Sequence, residues 1–597
     1  MKPTDIKDPE YFHKVVDCQY ACPAHTPVPE YIRLIARQQY TEAYMVNWES
    51  NVFPGILGRT CDRPCEPACR RGRVEEEPVA ICRLKRVAAD NKGDVKKHMP
   101  QGPFAPNGKR VALVGAGPAA LTVARDLAPL GYELHIYDEQ RSGGGFMRSQ
   151  IPSFRLPETV LEEEVNFILD LGIHKHFNHY VPSLKGLLEQ GYDAVFVGSG
   201  APKGRDLDVP GRAEAAANVH IGINWLANVA FEHTNKIGKR VIVLGGGNTA
   251  MDCCRTARRL GGEEVKVIVR SPFAEMKASP WEKEDALHED IPIIDNHVPK
   301  SFVVEGGVLK GMMFEKVHAQ YDDNGKRKLV PTGEPEVFYP ADDVLVAIGQ
   351  ENSFPWIERD LGIEFDKWDM PVVDEKTFVS TNSRVFFGGD AAFGPKNVIT
   401  AVAHGHQAAI SIHLFCSNEA LTNRPSPFVN LVSQKMGIHE WSYDSEVTTD
   451  LRYAVPHADK KLTLTNRKKE VELGFDLPTG FKEAERCLNC DVQTVFTESK
   501  CIECDACMDI CPTACISFIP NQEDEAELRR HTKVLATNTT QDLYVSGPLA
   551  TTRVMVKDED VCLHCGLCAE RCPTSAWDMQ KFLYKVTKAE GAGCGAH

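Results

Sequence analysis

The sequence predicts an α/β protein built on two tandem Rossmann-like nucleotide-binding folds, with cysteine-rich segments towards both ends of the chain. Residues 109–138, KRVALVGAGPAALTVARDLAPLGYELHIYD, have the pattern of a strand, a glycine turn, a helix and a second strand. Residues 239–260, KRVIVLGGGNTAMDCCRTARRL, repeat the first three of these parts. Most of the 21 cysteines lie in clusters before and after this central region.

Length and charge set the first limits. A chain of 597 residues is long enough for about three to five domains. Its net charge of −15 implies no broad attraction to nucleic acid or to an anionic membrane. The first residues lack the apolar core of a signal peptide, and no apolar run is long enough to span a bilayer. We therefore expect a cytoplasmic protein without a membrane span or a nucleic-acid partner.

The first glycine turn has the form G-x-G-x-x-A, with Gly115, Gly117 and Ala120 at the defining positions. The first glycine permits the tight turn, the second lets the backbone approach a pyrophosphate, and the alanine allows close packing of helix on strand. The helix N-terminus favours phosphate, and Asp138 at the end of the second strand can accept a hydrogen bond from a ribose hydroxyl.

The second glycine turn carries Gly245, Gly247 and Ala250, and the strand VKVIVR that follows ends at Arg270. Two such folds in tandem predict two dinucleotides, one held tightly and one exchangeable. A single guanidinium can pair with a 2′-phosphate, and no Asp or Glu stands at this point. The sequence therefore favours NADP, with NAD as the alternative.

The N-terminal segment contains six cysteines in the patterns CQYAC, CDRPCEPAC and AIC, namely Cys18, Cys22, Cys61, Cys65, Cys69 and Cys82. Disulfides are not expected in a large chain without a signal peptide. The spacing suits thiolates that converge on a metal cluster. Zinc is the main rival, although it prefers C-x2-C knuckles, which this segment lacks. Buried structural cysteines are the third possibility.

The C-terminal segment contains the motif C-x2-C-x2-C-x3-C-P twice, separated by about 50 residues. This pattern resembles a bacterial two-cluster ferredoxin, in which the cysteine before proline reaches the other cluster. It assigns Cys501, Cys504, Cys507 and Cys572 to one [4Fe-4S] cluster, and Cys562, Cys565, Cys568 and Cys511 to a second. We expect Cys515 to be a core residue, the insert at 532–547 to form a hairpin, and Cys594 to have no role.

From about residue 15 to residue 415 the chain resembles the flavoprotein small subunit of glutamate synthase and its relatives, including the N-terminal part of dihydropyrimidine dehydrogenase. The motifs that carry the resemblance are, in order, GAGPAAL, GGGF…IPSFRLP, GGGNTAMDC, AIGQ and GGDAAFGP. The resemblance implies FAD at the first fold, NAD(P)H at the second, and iron–sulfur clusters in an N-terminal α-helical domain.

The resemblance also implies which residues contact each cofactor. FAD contacts are expected from Gly115, Gly117, Asp138, Gly144, Arg148, Pro152 and Asp390. Further cofactor contacts are expected from Pro118, Ala120, Gly349 and Gly389. Contacts to the nicotinamide nucleotide are expected from Gly245, Gly247, Asn248, Thr249 and Arg270. We expect no catalytic side chain, because the cofactors carry the chemistry.

Six N-terminal cysteines are two short of the eight ligands that two all-thiolate clusters require. The resembled family has a C-x2-C pair, preceded by E-A-x-R, just before the cysteine that matches Cys18, and this chain lacks it there. The form recurs as EAERCLNC, which ends at Cys490. We predict that Cys487 and Cys490 fold back to share a cluster with Cys18 and Cys69.

The remaining N-terminal cysteines would then hold a fourth cluster: Cys22, Cys61, Cys65 and Cys82. The resemblance leaves an oxygen ligand near Cys82 as the alternative to this cysteine. In an alternative arrangement, Cys487 and Cys490 form a solvent-side pair.

The expected function is that of an NAD(P)-linked, diaphorase-type subunit, which moves electrons between NAD(P)(H), FAD and four [4Fe-4S] clusters to or from a partner. The arrangement resembles nicotinamide-coupling subunits of 2-oxoacid oxidoreductases, whose thiamine-dependent catalytic subunits would be the partners in a hetero-oligomer. The alternative is a glutamate synthase small subunit. A third hypothesis, an electron wire without nicotinamide binding, is disfavoured by the intact GGGNTAM turn.

The sequence predicts six segments. They are a helical iron–sulfur domain (1–105), a first FAD-binding part (106–225), an NAD(P)-binding domain (226–345), a second FAD-binding part (346–420), a linker with the Cys487 and Cys490 pair (421–495), and a ferredoxin-like α+β domain (496–597).

Overall fold

The computed structural model describes residues 1–436, 441, 447–534 and 541–589. The chain divides into two compact units. Unit one comprises Met1–Met99, Pro425–Val455 and Gly474–Lys588, and unit two comprises mainly Pro100–Arg424 and Pro456–Leu473. Cys594 and residues 535–540 of the expected hairpin lie outside the described residues. The six predicted segment boundaries stay predictions.

The N-terminal part of unit one is helical, as expected. Its helices are α1 (Pro9–Val15), α2 (Asp17–Tyr20), α3 (Val28–Ala36), α4 (Tyr40–Asn51), α5 (Pro54–Thr60), α6 (Gly72–Glu75) and α7 (Ile81–Asn91). In α3, Tyr31, Ile32 and Ile35 are at most 1% exposed. Their spacing places them on one apolar stripe of the helix, which explains why this segment is helical and buried.

Unit two begins with the first predicted nucleotide fold. Its elements are β1 (Arg110–Val114), α8 (Pro118–Leu127), β2 (Glu133–Tyr137), α9 (Phe146–Ser149), α10 (Glu158–Leu169), β3 (His174–His176), α11 (Leu184–Leu188), β4 (Ala194–Val197) and β5 (Lys203–Gly204). The strands β1 and β4 are almost wholly apolar and buried, as is typical of a parallel sheet covered on both faces.

The second predicted fold follows. Its elements are β6 (Val219–Ile221), α12 (Gly222–Ala230), β7 (Arg240–Leu244), α13 (Asn248–Arg259), β8 (Glu264–Ile268), α14 (Pro280–His288) and β9 (Ile293–Ile294). A mainly antiparallel region comes next, with β10 (His297–Glu305), β11 (Val308–Tyr321), β12 (Arg327–Pro331) and β13 (Val337–Pro340). The chain then returns through β14 (Asp343–Val346), β15 (Gln350–Glu351), β16 (Val385–Phe387), α15 (Asp390–Phe393) and α16 (Val398–Cys416).

Two five-stranded parallel sheets confirm the two tandem Rossmann-like folds. The first has the strand order β16-β4-β1-β2-β3, and the second has the order β6-β14-β7-β8-β9. Both glycine turns follow the central strand of their sheet, β1 and β7, so they lie at its carboxyl edge. Ligands of open α/β sheets bind at this edge.

Helix α16 packs closely on α8, which begins at the first glycine turn. A Cβ atom on Gly405 would lie 2.6 Å from the carbonyl oxygen of Ala119 and 2.6 Å from Cβ of Thr122. The small residue therefore permits the two helix backbones to approach. This contact joins the returning GGDAAFGP segment to the first nucleotide fold.

Residues 421–495 and the C-terminal segment contain the remaining elements. They are β17 (Phe428–Ser433), α17 (Lys460–Thr465), α18 (Leu477–Ala484), β18 (Val492–Phe496), α19 (Ala506–Ile510), β19 (Ile516–Pro520), α20 (Glu525–Arg529), β20 (Tyr544–Val545), β21 (Arg553–Lys557), α21 (Leu567–Arg571) and β22 (Trp577–Lys585). Helix α17 belongs to unit two and the others to unit one.

In unit one, the N-terminal residues contact the C-terminal segment. Its strands form two antiparallel sheets, β17-β22-β18 and β19-β21-β20. The backbone N–H of Thr4 donates to the carbonyl of Val545 at 2.9 Å, and the Thr4 hydroxyl donates to the carbonyl of Leu543 at 2.9 Å. The N-terminal residues and the ferredoxin-like part are therefore one folded body, in which the expected α+β ferredoxin-like region is confirmed.

Candidate cofactor and iron–sulfur sites

The first glycine turn is fixed by contacts that only glycine allows. Gly115 has a φ of +95°, and a Cβ atom there would lie 2.5 Å from the carbonyl oxygen of Gly198. The carboxylate of Asp138 accepts from the backbone N–H of Ala116 at 2.7 Å and of Gln140 at 2.8 Å. Burial raises the pKa of Asp138, and these two hydrogen bonds oppose that effect. The acidic residue is thus anchored beside the turn.

The GGGF segment crosses directly over this turn. The N–H of Gly144 donates to the carbonyl of Ala116 at 2.8 Å, and a Cβ atom on Gly145 would lie 2.7 Å from Cα of Gly117. Arg148 donates from Nε to the carbonyl of Gly143 at 2.7 Å. Its buried Nη2 has no hydrogen-bond partner among the described residues. A buried donor of this kind suits a phosphate-bearing ligand, so these residues fit FAD.

The returning GGD segment reaches the same turn. A Cβ atom on Gly389 would lie 3.2 Å from Cβ of Ala119. Asp390 accepts from the backbone N–H of Lys396 at 3.0 Å, and burial raises the pKa of Asp390 to about 6. Asn352 donates to the carbonyl of Asp390 at 2.8 Å, which fixes the start of α15. The structure therefore brings three separate predicted segments to the N-terminus of α8.

The remaining predicted residues of the first nucleotide fold are Pro118, Ala120, Pro152 and Gly349. Pro118 is the first residue of α8, and Ala120 is fully buried in that helix. Pro152 accepts the backbone N–H of Arg155 at 2.9 Å. Gly349 has a φ of +127°, which favours glycine.

The two glycines of the second turn differ in the space that surrounds them. A Cβ atom on Gly245 would lie 2.1 Å from the carbonyl oxygen of Ala347, so the fold itself requires this glycine. At Gly247, no heavy atom of the described chain lies within 4 Å of such a Cβ. Gly247 precedes Asn248, the first residue of α13, whose side-chain oxygen accepts from the N–H of Ser279 at 2.8 Å.

The side chains of Thr249 and Arg270 occupy different surroundings. Thr249 is partly buried in the first turn of α13. Arg270 is exposed two residues after the end of β8. An exposed guanidinium at the carboxyl edge of a parallel sheet can reach a phosphate without a desolvation penalty.

The four cysteines of the predicted fold-back site border one cavity in unit one, namely Cys18, Cys69, Cys487 and Cys490. Burial, and then the other three thiols, raise the pKa of Cys18 well above its ordinary value. Four thiols that face one cavity without forming disulfides suit a metal centre. Cys487 and Cys490 therefore lie beside Cys18 and Cys69, as the fold-back arrangement requires.

Buried ion pairs hold the segment that carries these two cysteines. Arg486 is fully buried and donates to the carbonyls of Glu77 at 3.0 Å and Pro78 at 3.1 Å. On the other side, Arg33 of α3 donates to Asp491 at 2.7 Å. Each guanidinium satisfies several acceptors at once, as buried arginines must. These contacts connect residues 486–491 to the N-terminal helices.

The buried side chain of Lys85 interacts electrostatically with the second N-terminal set of cysteines. Burial alone would lower the pKa of Lys85, but four thiols raise it, and they are Cys82, Cys61, Cys65 and Cys22 in order of effect. All four cysteines are at most 7% exposed. A buried ammonium among thiols offsets the negative charge that thiolate ligands would bring. Sequence reasoning missed Lys85, because a lone lysine in an amphipathic helix is usually solvated.

In the ferredoxin-like part, the cysteines of each predicted set interact with or lie beside one another. The thiols of Cys572 and Cys504 help to raise the pKa of Cys501, after burial, and those of Cys501 and Cys572 do the same for Cys507. The cysteines of the second set, Cys511, Cys562, Cys565 and Cys568, border one cavity. Cys515 is buried as expected, and its sulfur lies 3.4 Å from that of Cys511.

A buried lysine also stands beside this last cavity. Lys557 borders it, is 1% exposed, and donates to Glu559 at 3.1 Å. Arg70 is also buried and donates to the carbonyls of Glu559 at 2.5 Å and Cys562 at 2.6 Å. Sequence reasoning missed these residues, because their burial depends on contacts between distant parts of the chain.

The arrangement defines a class of protein, a flavin- and pyridine-nucleotide-dependent oxidoreductase with iron–sulfur domains. Comparison with known families agrees with it. The pyridine nucleotide-disulphide oxidoreductase family matches residues 109–405. Dihydropyrimidine dehydrogenase domain II, 4Fe-4S cluster, matches residues 13–97, and the 4Fe-4S dicluster domain matches residues 500–576. Within the described residues, no helix is both long and apolar enough to cross a membrane.

Three relatives span most of the chain. The NADP(+)-dependent formate dehydrogenase subunit beta of Moorella thermoacetica is 35% identical, over 79% of this chain and 70% of its own length. The NADPH-Fe(3+) oxidoreductase subunit beta of Geobacter sulfurreducens is 30% identical, over 82% of this chain and 77% of its own length. The glutamate synthase [NADPH] small chain of Azospirillum brasilense is 32% identical, over 68% of this chain and 87% of its own length. The chain belongs to this glutamate synthase small-subunit-like family of oxidoreductases.

Among solved structures, Mycobacterium tuberculosis FprA in complex with NADPH is 16% identical and covers 53% of this chain and 85% of its own, with a TM-score of 0.45.

Proposed function

We propose that this chain is the NADP-linked electron-transfer subunit of a larger oxidoreductase, with FAD at the first fold, NADP(H) at the second and four [4Fe-4S] clusters in unit one. The observation that carries the proposal is that four sets of cysteines and two glycine turns occur in one chain. The named functions of the relatives from Moorella and Geobacter support the preference for NADP over NAD.

The chain's own residues would bind and orient these groups. Asp138 and the turn around Gly115 would hold FAD together with Arg148 and Asp390. The turn at Gly247 and the exposed Arg270 would hold the nicotinamide nucleotide. When bound, the nicotinamide and flavin exchange electrons in pairs, and the clusters exchange them singly.

In unit one, each N-terminal or ferredoxin-like set would supply four thiolates to a cluster. Buried lysines are positioned to offset part of this charge beside two of the sets, Lys85 in the first case and Lys557 in the second. Residues at the cysteine sets would exclude water, since most of these thiols are buried.

The partner would be a catalytic subunit that generates or consumes the electrons. Two relatives bear names of beta subunits, which supports assembly into a complex. A thiamine-dependent 2-oxoacid oxidoreductase is the partner that we propose from the domain arrangement. A glutamate synthase large subunit is the alternative, and the added ferredoxin-like segment at 500–576 argues against it.

Anaerobic titration of the holoprotein with NADPH and with NADH tests the nucleotide proposal. We expect NADPH to bleach the flavin absorbance at lower concentration than NADH does. If neither nucleotide bleaches the flavin, the chain is an electron wire rather than an NADP-linked subunit. Copurification from the native source, followed by identification of the bound subunits, tests the partner.

The two glycines of the second turn give a matched pair of variants. Gly247→Ala should fold with an unchanged melting temperature, because its Cβ would meet no atom of the described chain. It should nevertheless weaken NADPH binding by tenfold or more, since a methyl group would stand where the pyrophosphate approaches. Isothermal titration of the two proteins with NADPH measures the effect.

Gly245→Ala is the control for this prediction. Its Cβ would collide with the carbonyl of Ala347, so the variant should be destabilised even without nucleotide. Unchanged NADPH affinity in Gly247→Ala would mean that the nucleotide does not lie over this turn.

A further inference from the structure

A histidine-rich patch lies at the outer edge of the first parallel sheet, apart from the sites above. Strand β3 is the edge strand, and its register pairs His174 with His135 and His176 with Tyr137 of β2. Paired residues of parallel strands project from the same face, and so do residues two apart along a strand. Glu133 and three imidazoles therefore share one face of the sheet.

The distances in this patch suit a metal site. The imidazole rings of His135 and His174 stack at 4.5 Å between centroids. His135 places Nε2 2.8 Å from Oε1 of Glu133, and Nδ1 3.0 Å from Nε2 of His176. One ligand atom each from Glu133, His135 and His174 lies within 4.8 Å of the other two. Small rotations of the exposed side chains would bring all three within bonding distance of one cation.

The hydrogen bonding of His135 explains why a cation would be stabilised beside Glu133. A neutral imidazole carries a single N–H, so His135 can donate to only one of its two neighbours. If Nδ1–H donates to His176, then Nε2 presents a lone pair to the Glu133 carboxylate, and a cation between these acceptors is stabilised. Histidine ligands of metals commonly donate their second N–H in this way. From the other tautomer, the proton would move from Nε2 to Nδ1 by exchange with solvent, so His135 stays neutral and no net proton is released.

We propose that Glu133, His135 and His174 bind one divalent cation of borderline softness, for which Zn²⁺ is the probe, and that His176 orients His135. Imidazole and carboxylate donors with an open fourth position suit Zn²⁺. Arg110 donates to Oε1 of Glu133 at 3.1 Å, which leaves Oε2 for the cation and limits the affinity through its positive charge.

The site would also stabilise the cofactor-binding fold. The carbonyl of His176 accepts from the backbone N–H of Asp138 at 3.1 Å. A cation that ties β3 to β2 would therefore hold the edge strand against the segment that ends at Asp138. We expect added Zn²⁺ to raise the melting temperature of the holoprotein.

The test compares holoproteins isolated anaerobically and titrated with Zn²⁺ by calorimetry. Wild type should bind one Zn²⁺ more than His174→Gln and Glu133→Gln, or bind it at least tenfold more tightly. His176→Gln should keep the stoichiometry and lose about tenfold in affinity, as expected for an orienting partner. Flavin absorbance checks that each variant is folded.

His318→Gln is the matched control, because His318 is an exposed histidine of the same unit that contacts Gln320 on β11, away from the patch. It should bind Zn²⁺ as wild type does. Equal binding by wild type and His174→Gln overturns the proposal, and so does an equal loss in His318→Gln.

Discussion

Replacing Cys487 and Cys490 together by serine is expected to remove one cluster, about four iron atoms per chain, from the holoprotein. The two thiols border the same cavity as Cys18 and Cys69, so their loss would leave two thiolates where a [4Fe-4S] cluster needs four. Iron and acid-labile sulfide analysis of the anaerobically purified variant measures the change. The flavin content should stay at the wild-type value, because the FAD site belongs to unit two.

The control for this experiment is Cys253→Ala/Cys254→Ala. It also removes two thiols, but from the core of the second nucleotide fold. We expect this control to keep all of its iron. Full iron content in the Cys487→Ser/Cys490→Ser protein would instead favour the solvent-side pair and refute the fold-back arrangement.

Arg70→Met is expected to destabilise unit one by about 3–5 kcal/mol. The buried guanidinium donates to Asp17 and to the carbonyl of Val15 on one side, and to the carbonyls of Glu559 and Cys562 on the other. Methionine fills a similar volume but leaves the partly buried Asp17 carboxylate without this partner and three carbonyls without their donor. Arg70→Lys should not restore stability, because an ammonium cannot reproduce the fork of the guanidinium.

The measurement is the urea concentration at which half of the iron is released, followed through the visible absorbance of the clusters. Arg73→Met serves as the control, since Arg73 lies three residues away and pairs with Asp17 and Asp560, but its side chain is 39% exposed. Its expected cost is below about 1 kcal/mol. Similar urea midpoints for the two variants would show that the buried guanidinium is not what joins these segments.

The parts of the fold that could be predicted are those determined by residues close together in the sequence. Gly115 and Gly245 needed positive φ angles in strand-turn-helix patterns, so both sheets followed from the pattern of residues alone. The grouping of Cys501, Cys504 and Cys507 followed equally from their spacing. The pairing of Cys487 and Cys490 with the N-terminal cysteines came from counting ligands within the family resemblance.

The residues that could not be predicted are those whose surroundings are formed by contacts between segments far apart in sequence. Lys85 and Lys557 resemble surface lysines until the segments around them are folded. The Glu133, His135 and His174 patch depends on the register between β2 and β3, which cannot be derived from either strand by itself. Arg70 becomes buried only when residues 559–562 pack against it.

The division of unit one into three stretches of chain has a consequence for its synthesis. Cys18 and Cys69 leave the ribosome more than 400 residues before Cys487, and the whole of Pro100–Arg424 is made in between. The thiols of Cys18 and Cys69 therefore lack their proposed partners, and can be oxidised, while the nucleotide-binding unit is translated. If this cavity holds the proposed cluster, its insertion must follow synthesis of Cys490, and the early cysteines would need a reducing environment or a protective carrier until then.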